Sequence, residues 1–103
     1  MAKLKDSETP ERLIVKHIRE HLKKRGWLTW KNFGGGYSVA GLPDVMAVRN
    51  GEFIAIEVKR PGGEPTARQA LWIKQLSKQG VKAFFATSVA EVRAYLEPDK
   101  EKS

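Results

Sequence analysis

Cysteine is absent from the 103 residues, which excludes disulfide bonds and thiolate-ligated metal centres and is compatible with a reducing compartment. No apolar run is long enough to cross a membrane, and residues 1–10 lack the apolar core of a secretory signal, so a cytoplasmic protein is expected. Internal repeats and low-complexity tracts are missing too, which removes solenoids and fibrous chains from consideration. There is no room for a second core, so one domain is expected, ordered over about 8–96. Acidic residues are the scarcer charge, 12 against 19 Lys and Arg, for a net charge of +7. That balance favours a polyanionic partner such as nucleic acid, although solubility alone also accounts for it.

Two short apolar runs, 45–49 and 52–58, flank Asn50-Gly51, the residue pair that a two-residue type I′ turn requires. Counting outward from that turn pairs Arg49 with Glu52, Val48 with Phe53, Ala47 with Ile54, Met46 with Ala55 and Val45 with Ile56. The next pair is Asp44 with Glu57. Because side chains alternate along a strand, Lys59 shares a face with Glu57, while Val58 joins Ile54 and Ile56 on the other. Like charges opposite one another destabilise a sheet, here by roughly 3 kcal/mol at about 5 Å and an effective dielectric near 20. A bridging divalent cation would offset this, and hard oxygen ligands select Mg²⁺ or Mn²⁺. On the hairpin alone, a same-face ion pair between Glu57 and Lys59 on an edge strand is an equal reading.

Thr9-Pro10 predicts a helix start, with Thr9 as cap, running to about Arg25 and closed by Gly26. Ile14, Ile18 and Leu22, with Val15 beside them, form its buried stripe. Glu11 falls within the same arc, where its role is either functional or that of a first-turn acid favouring the helix dipole. His17 to His21 spells H-x-x-E-H, a zinc-peptidase pattern, but the surrounding domain of such an enzyme is missing. A first strand is expected over 27–33, followed by a flexible loop at Gly34-Gly35-Gly36. Thr66-Ala67-Arg68-Gln69 is a capping box that opens a helix to Gln79, with Trp72, Ile73 and Leu76 inward. A buried strand over 81–86 and a short helix opened by Ser88 and Glu91, with Val92, Tyr95 and Leu96 inward, complete the order. A charged, disordered tail follows from Pro98. The fold class is therefore α/β, a mixed sheet flanked by helices, with a parallel right-handed crossover through the second long helix.

Pro43-Asp44, twelve intervening residues, Glu57-Val58-Lys59, a preceding helical Glu11 and a following Gln69 together resemble the PD-(D/E)XK nuclease superfamily. The short first helix, Gly41-Leu42-Pro43-Asp44, the run from Ile56 to Gly63 and the Thr66-x-x-Gln69 opening are similar to the stand-alone VRR-NUC (virus-type replication-repair nuclease) domain. The resemblance spans about 8–96. It implies a restriction-endonuclease-like αβββαβα core and a metal-dependent endonuclease cutting DNA phosphodiesters, structure-selective toward Holliday junctions or flaps. It assigns Mg²⁺ or Mn²⁺ to Asp44, Glu57 and the Val58 carbonyl, with Glu11 completing the acidic pocket. Lys59 would activate water or stabilise phosphate charge, and Gln69 would support the site. Lys31, Arg49, Arg60, Arg68 and Lys74 are candidate phosphate contacts, and Tyr37 a candidate stacking partner for an unpaired base. Branched DNA as substrate implies a homodimer, association with a nucleoid or viral DNA, and no membrane. The alternative is an inactive nucleic-acid-binding module on the same fold.

Overall fold

The computed structural model describes residues 10–32 and 39–97. Thr9 as a cap, Phe33, the glycine triplet, Tyr37 and the charged tail lie outside them. Within them the element order is α1 (Glu11–Lys24), β1 (Leu28–Lys31), β2 (Val45–Arg49), β3 (Glu52–Val58), α2 (Ala67–Lys78), β4 (Lys82–Ala86) and α3 (Val89–Leu96). This is the expected αβββαβα order. The four strands form one sheet in the order β1-β2-β3-β4, antiparallel except for the parallel β3–β4 pair that α2 connects.

The β2–β3 turn has φ of 50° at Asn50 and 80° at Gly51, both left-handed, as a type I′ turn demands. The register from Arg49–Glu52 to Val45–Ile56 is the one counted from that turn. One sheet face carries Val45, Ala47, Ile54, Ile56, Val58 and Ala86, and α1 lays Ile14, Val15, Ile18 and Leu22 onto it. Val92 of α3 closes the same core. Burying these aliphatic side chains, at about 1.5–3 kcal/mol each, is the main force holding α1 to the sheet.

The strand expected over 27–33 is shorter and starts later. Gly26, at φ 88°, ends α1 in a Schellman arrangement: its N–H donates to the Lys23 carbonyl and the Trp27 N–H donates back to Leu22. Trp27 thus belongs to the helix cap, and its indole is buried in the core. The α2 stripe is correctly placed but only half-buried at Trp72, Ile73 and Leu76, and none of this helix is fully enclosed. It packs over β3 and β4, where Ala55 and Ala83 leave space for it. Tyr95 was expected inward; it is 45% exposed and stacks face to face on Phe84, ring centres 3.9 Å apart. Ser88 caps α3 as expected, accepting from the Glu91 N–H, whereas the Glu91 carboxylate accepts from Thr87 rather than completing the box at Ser88.

Candidate active site

At the ends of β2 and β3 that lie away from the hairpin turn, three sequence-predicted residues meet. Asp44 sits just before β2, where its Oδ2 accepts the Val58 N–H at 3.0 Å. Asn32 secures the same corner: its N–H donates to the Asp44 carbonyl at 2.8 Å and its side-chain amide to the Pro43 carbonyl at 2.7 Å. Asn32 was not among the expected site residues. The signal available was its position at the end of a strand that runs toward Pro43-Asp44.

Glu57 is only 2% exposed. Its Oε2 accepts from Gln69 Nε2 at 3.1 Å and lies 3.7 Å from Lys59 Nζ, so Lys59 does share the face of Glu57. Gln69 has two tasks. Its Oε1 accepts the Thr66 N–H at 2.8 Å in a complete capping box, which orients the amide so that its NH₂ end faces Glu57. Helix capping and site support are thus the same geometric fact. Lys59 is pinned through its backbone, whose N–H donates to the Ala86 carbonyl of β4 at 3.0 Å.

The expected repulsion between Asp44 and Glu57 is resolved by a proton. Burial pushes the Glu57 carboxyl up to about 8, and the neighbouring Asp44 carboxylate pushes the same way. Lys59 opposes the shift, and Glu11 adds weakly to it from α1. Near neutral pH, without a cation, Glu57 therefore favours its protonated form. Among the described residues, however, no three His, Asp or Glu side chains converge as a metal-binding group.

The donor set nevertheless suits a hard cation. Glu57 Oε1 is buried and has no hydrogen-bond partner among the described residues, a costly state for a carboxyl oxygen. It lies beside a second carboxylate, and an oxygen-coordinated Mg²⁺ or Mn²⁺ would satisfy it. Among the described residues His17 and His21 belong to no metal-binding group either. His17 instead lines a cavity of about 390 Å³ between α1 and the start of α3.

The candidate phosphate contacts are dispersed. Arg60 and Arg68 are exposed on either side of the β3–α2 connection, Lys74 is exposed on α2, and Lys31 ends β1 opposite Val45. Arg49 is elsewhere: it sits beside the hairpin turn, with its guanidinium 4.5 Å from the Trp27 ring centre and donating to the Arg25 carbonyl at 2.7 Å. It caps α1 at the far end of the strand from Asp44.

The profile of the VRR-NUC domain matches residues 2–90. The chain belongs to the VRR-NUC family. Its fold is similar to a solved structure titled "VRR_NUC domain", with 26% identity, a TM-score of 0.71, and coverage of 84% of this chain and 94% of that one. The Holliday junction resolvase Hjc of Archaeoglobus fulgidus shares the fold at 22% identity and a TM-score of 0.60, over 75% of this chain and 67% of Hjc. No curated protein sequence matches significantly. VRR-NUC is a nuclease family, and the Asp44, Glu57 and Lys59 cluster lies within the matched span.

Proposed function

We propose that this VRR-NUC domain is a Mg²⁺- or Mn²⁺-dependent DNA endonuclease that acts on branched DNA as a homodimer. The observation that carries the proposal is the buried Glu57 carboxyl, whose Oε1 has no partner among the described residues, whose Oε2 lies 3.7 Å from Lys59 Nζ, and which neighbours Asp44. Asp44, Glu57 and the Val58 carbonyl would hold the cation, with Glu11 contributing negative potential from behind. When bound, the cation supplies phosphoryl polarisation, a more acidic water and neutralisation of charge on the transition state.

The chain's own groups do the positioning. The Val58 N–H holds Asp44 in one orientation, and Gln69 does so for Glu57. Lys59, with its side chain only 15% exposed, directs a positive charge at the same point. That charge orients the attacking water and stabilises the phosphate oxygens as the water–phosphorus bond forms and the bond to a bridging oxygen breaks. Arg60, Arg68, Lys74 and Lys31 would contact flanking phosphates, which sets affinity and its salt dependence rather than the chemistry.

Cutting two strands of a junction needs two sites, which motivates the homodimer. The sheet supplies a candidate face. Leu28, 68% exposed, and Trp30, 38% exposed, lie with Met46, Val48 and Phe53 on the side opposite α1. Trp30 and Phe53 meet edge to face there. Among the described elements α2 covers only β3 and β4, so this apolar patch faces outward.

The deciding experiment compares a four-way junction, a flap, plain duplex and single-stranded DNA, each with Mg²⁺, Mn²⁺ or EDTA. Wild type should cut a branched substrate only with metal. Asp44→Asn and Lys59→Ala should lose at least about a hundredfold in rate while binding DNA within a few-fold of wild type. Equal cutting by wild type and Asp44→Asn would remove this cluster as the catalyst. Tight binding without cutting by the wild type would make the protein a nucleic-acid-binding module instead.

A further inference from the structure

One flank of α2 does not face the sheet. Positions 68, 71, 72 and 75 follow helical spacing along it and meet residues 39–40 across a groove of about 360 Å³. The walls are Val39 and Ala40 on one side, and Arg68, Leu71, Trp72 and Gln75 on the other. Val39 and Leu71 in this lining are 56% and 53% exposed, so the groove presents open apolar surface. The groove extends about 10 Å along the helix at 1.5 Å per residue, and its volume is that of a small-ligand site.

The geometry ties this groove to the catalytic cluster at two points. Trp72 Nε1 donates to the Ala40 carbonyl at 3.1 Å, which locks the indole in the wall. Gly41, at φ 83°, presses against Arg68 so closely that a Cβ there would lie 2.7 Å from Arg68 Cγ and 3.2 Å from the Arg68 carbonyl carbon. The groove wall is therefore clamped to α2, and three residues later the same chain delivers Asp44. On the helix side, Arg68 is followed directly by Gln69, which holds Glu57. A cation thus stands in the groove lining next in sequence to the residue that holds Glu57, and the rest of the lining is apolar apart from one amide side chain and the Trp72 N–H.

An apolar slot entered past an arginine matches a nucleotide: a phosphate outside, a base inside. We infer that this groove receives an unpaired nucleobase of the substrate strand, a nucleotide or two from the scissile phosphate, with Arg68 on the intervening phosphate and Gln75 at the base edge. The inference rests on DNA being the substrate and deepens that reading. It makes the groove the element that distinguishes branched or bulged DNA from plain duplex, because a base in a continuous stack is not free to enter it.

The test is a binding measurement without metal, so that it does not depend on cleavage. Fluorescence anisotropy in EDTA compares duplex DNA carrying a one-nucleotide bulge with the same DNA carrying an abasic residue in the bulge. Wild type should bind the base-containing bulge about five- to tenfold more tightly. Val39→Ser/Leu71→Ser should erase that preference while leaving plain-duplex affinity unchanged, and both positions are exposed enough to tolerate the change. If the pair impairs folding, Leu71→Gln alone serves the same comparison. Asp44→Asn should keep the preference. Equal affinity of wild type for the two bulges, or a preference that survives the groove substitutions, would overturn the inference. So would substitutions that convert a dimer to a monomer without changing the preference, which would assign the groove to a second copy. Loss of the nuclease reading would appear separately, as absent cutting with the bulge preference intact.

Discussion

Among the described residues, the Glu57 carboxyl is the group most displaced from its ordinary titration. It titrates near 8 in the folded chain against an ordinary 4.5. Between those values the folded state keeps a proton that the unfolded state has lost, so metal-free stability must fall as pH rises across that window, by at most about 1.4 kcal/mol per pH unit. His21, held below its ordinary value mainly by burial, contributes the opposite slope below about pH 6.5. The informative comparison is therefore between wild type and Glu57→Gln in EDTA. Denaturant titrations from pH 5 to 9 should show the wild-type decline and a flatter Glu57→Gln profile, and saturating Mg²⁺ or Mn²⁺ should flatten the wild type as well. A wild-type profile that is level or rising without metal would contradict the retention of a proton by Glu57. At this scale Asp44, Glu57 and Lys59 were legible from one turn and a period of two. The partners that hold the two carboxyls were less so. Gln69 reads as a cap, and only the packing of α2 against β3 brings its NH₂ end to Glu57.

Among the elements, α2 couples stability to the site through a single side chain. Thr66→Ala removes the hydroxyl that accepts the Gln69 N–H and should cost about 1 kcal/mol in thermal or chemical unfolding. It also loosens the helix start that positions the Gln69 amide, so metal-dependent cutting should fall severalfold. Gln69→Ala should reduce cutting further, since it strips Glu57 of its neutral donor. Unchanged cutting in Gln69→Ala would show that Glu57 needs no such support. The hairpin was legible from Arg49–Glu52 to Val45–Ile56 because Asn50-Gly51 settles it within two residues; the next counted pair, Asp44 with Glu57, lies beyond the ladder, where Asp44 instead accepts the Val58 N–H. The first strand begins one residue later than expected, at Leu28, for an equally physical reason. Trp27 has high β propensity, but the Schellman turn at Gly26 draws its backbone into the helix cap and its ring into the core.

For the whole molecule, the uncovered half of the sheet is the main energetic asymmetry. Among the described elements, one face is closed by α1 and α3 and the other is covered only over β3 and β4. If the Leu28, Trp30 and Phe53 patch is the homodimer face, wild type should sediment as a dimer and Leu28→Glu/Trp30→Glu as a folded monomer, because two buried carboxylates would have to be desolvated without partners. Paired incision of a junction should be lost in that variant. A wild type that is monomeric at all concentrations, with and without DNA, would end the dimer proposal. The excess of basic residues acts at this scale too. It is spread over Lys31, Arg60, Arg68 and Lys74 rather than gathered in one motif, and Arg49 is diverted to capping α1.

Local rules sufficed for what depends on near neighbours: the type I′ turn and its register, the Thr66–Gln69 box, the stripe of α1, and the face shared by Glu57 and Lys59. These follow from backbone geometry and from periods of 2 and 3.6, both written in the order of residues. Only the tertiary structure decided which cations lie near the carboxyls, that α2 leaves half a sheet face bare, and that Glu57 is buried deeply enough to retain a proton. Desolvation and charge proximity depend on distances between segments far apart in the chain, and no local pattern encodes them.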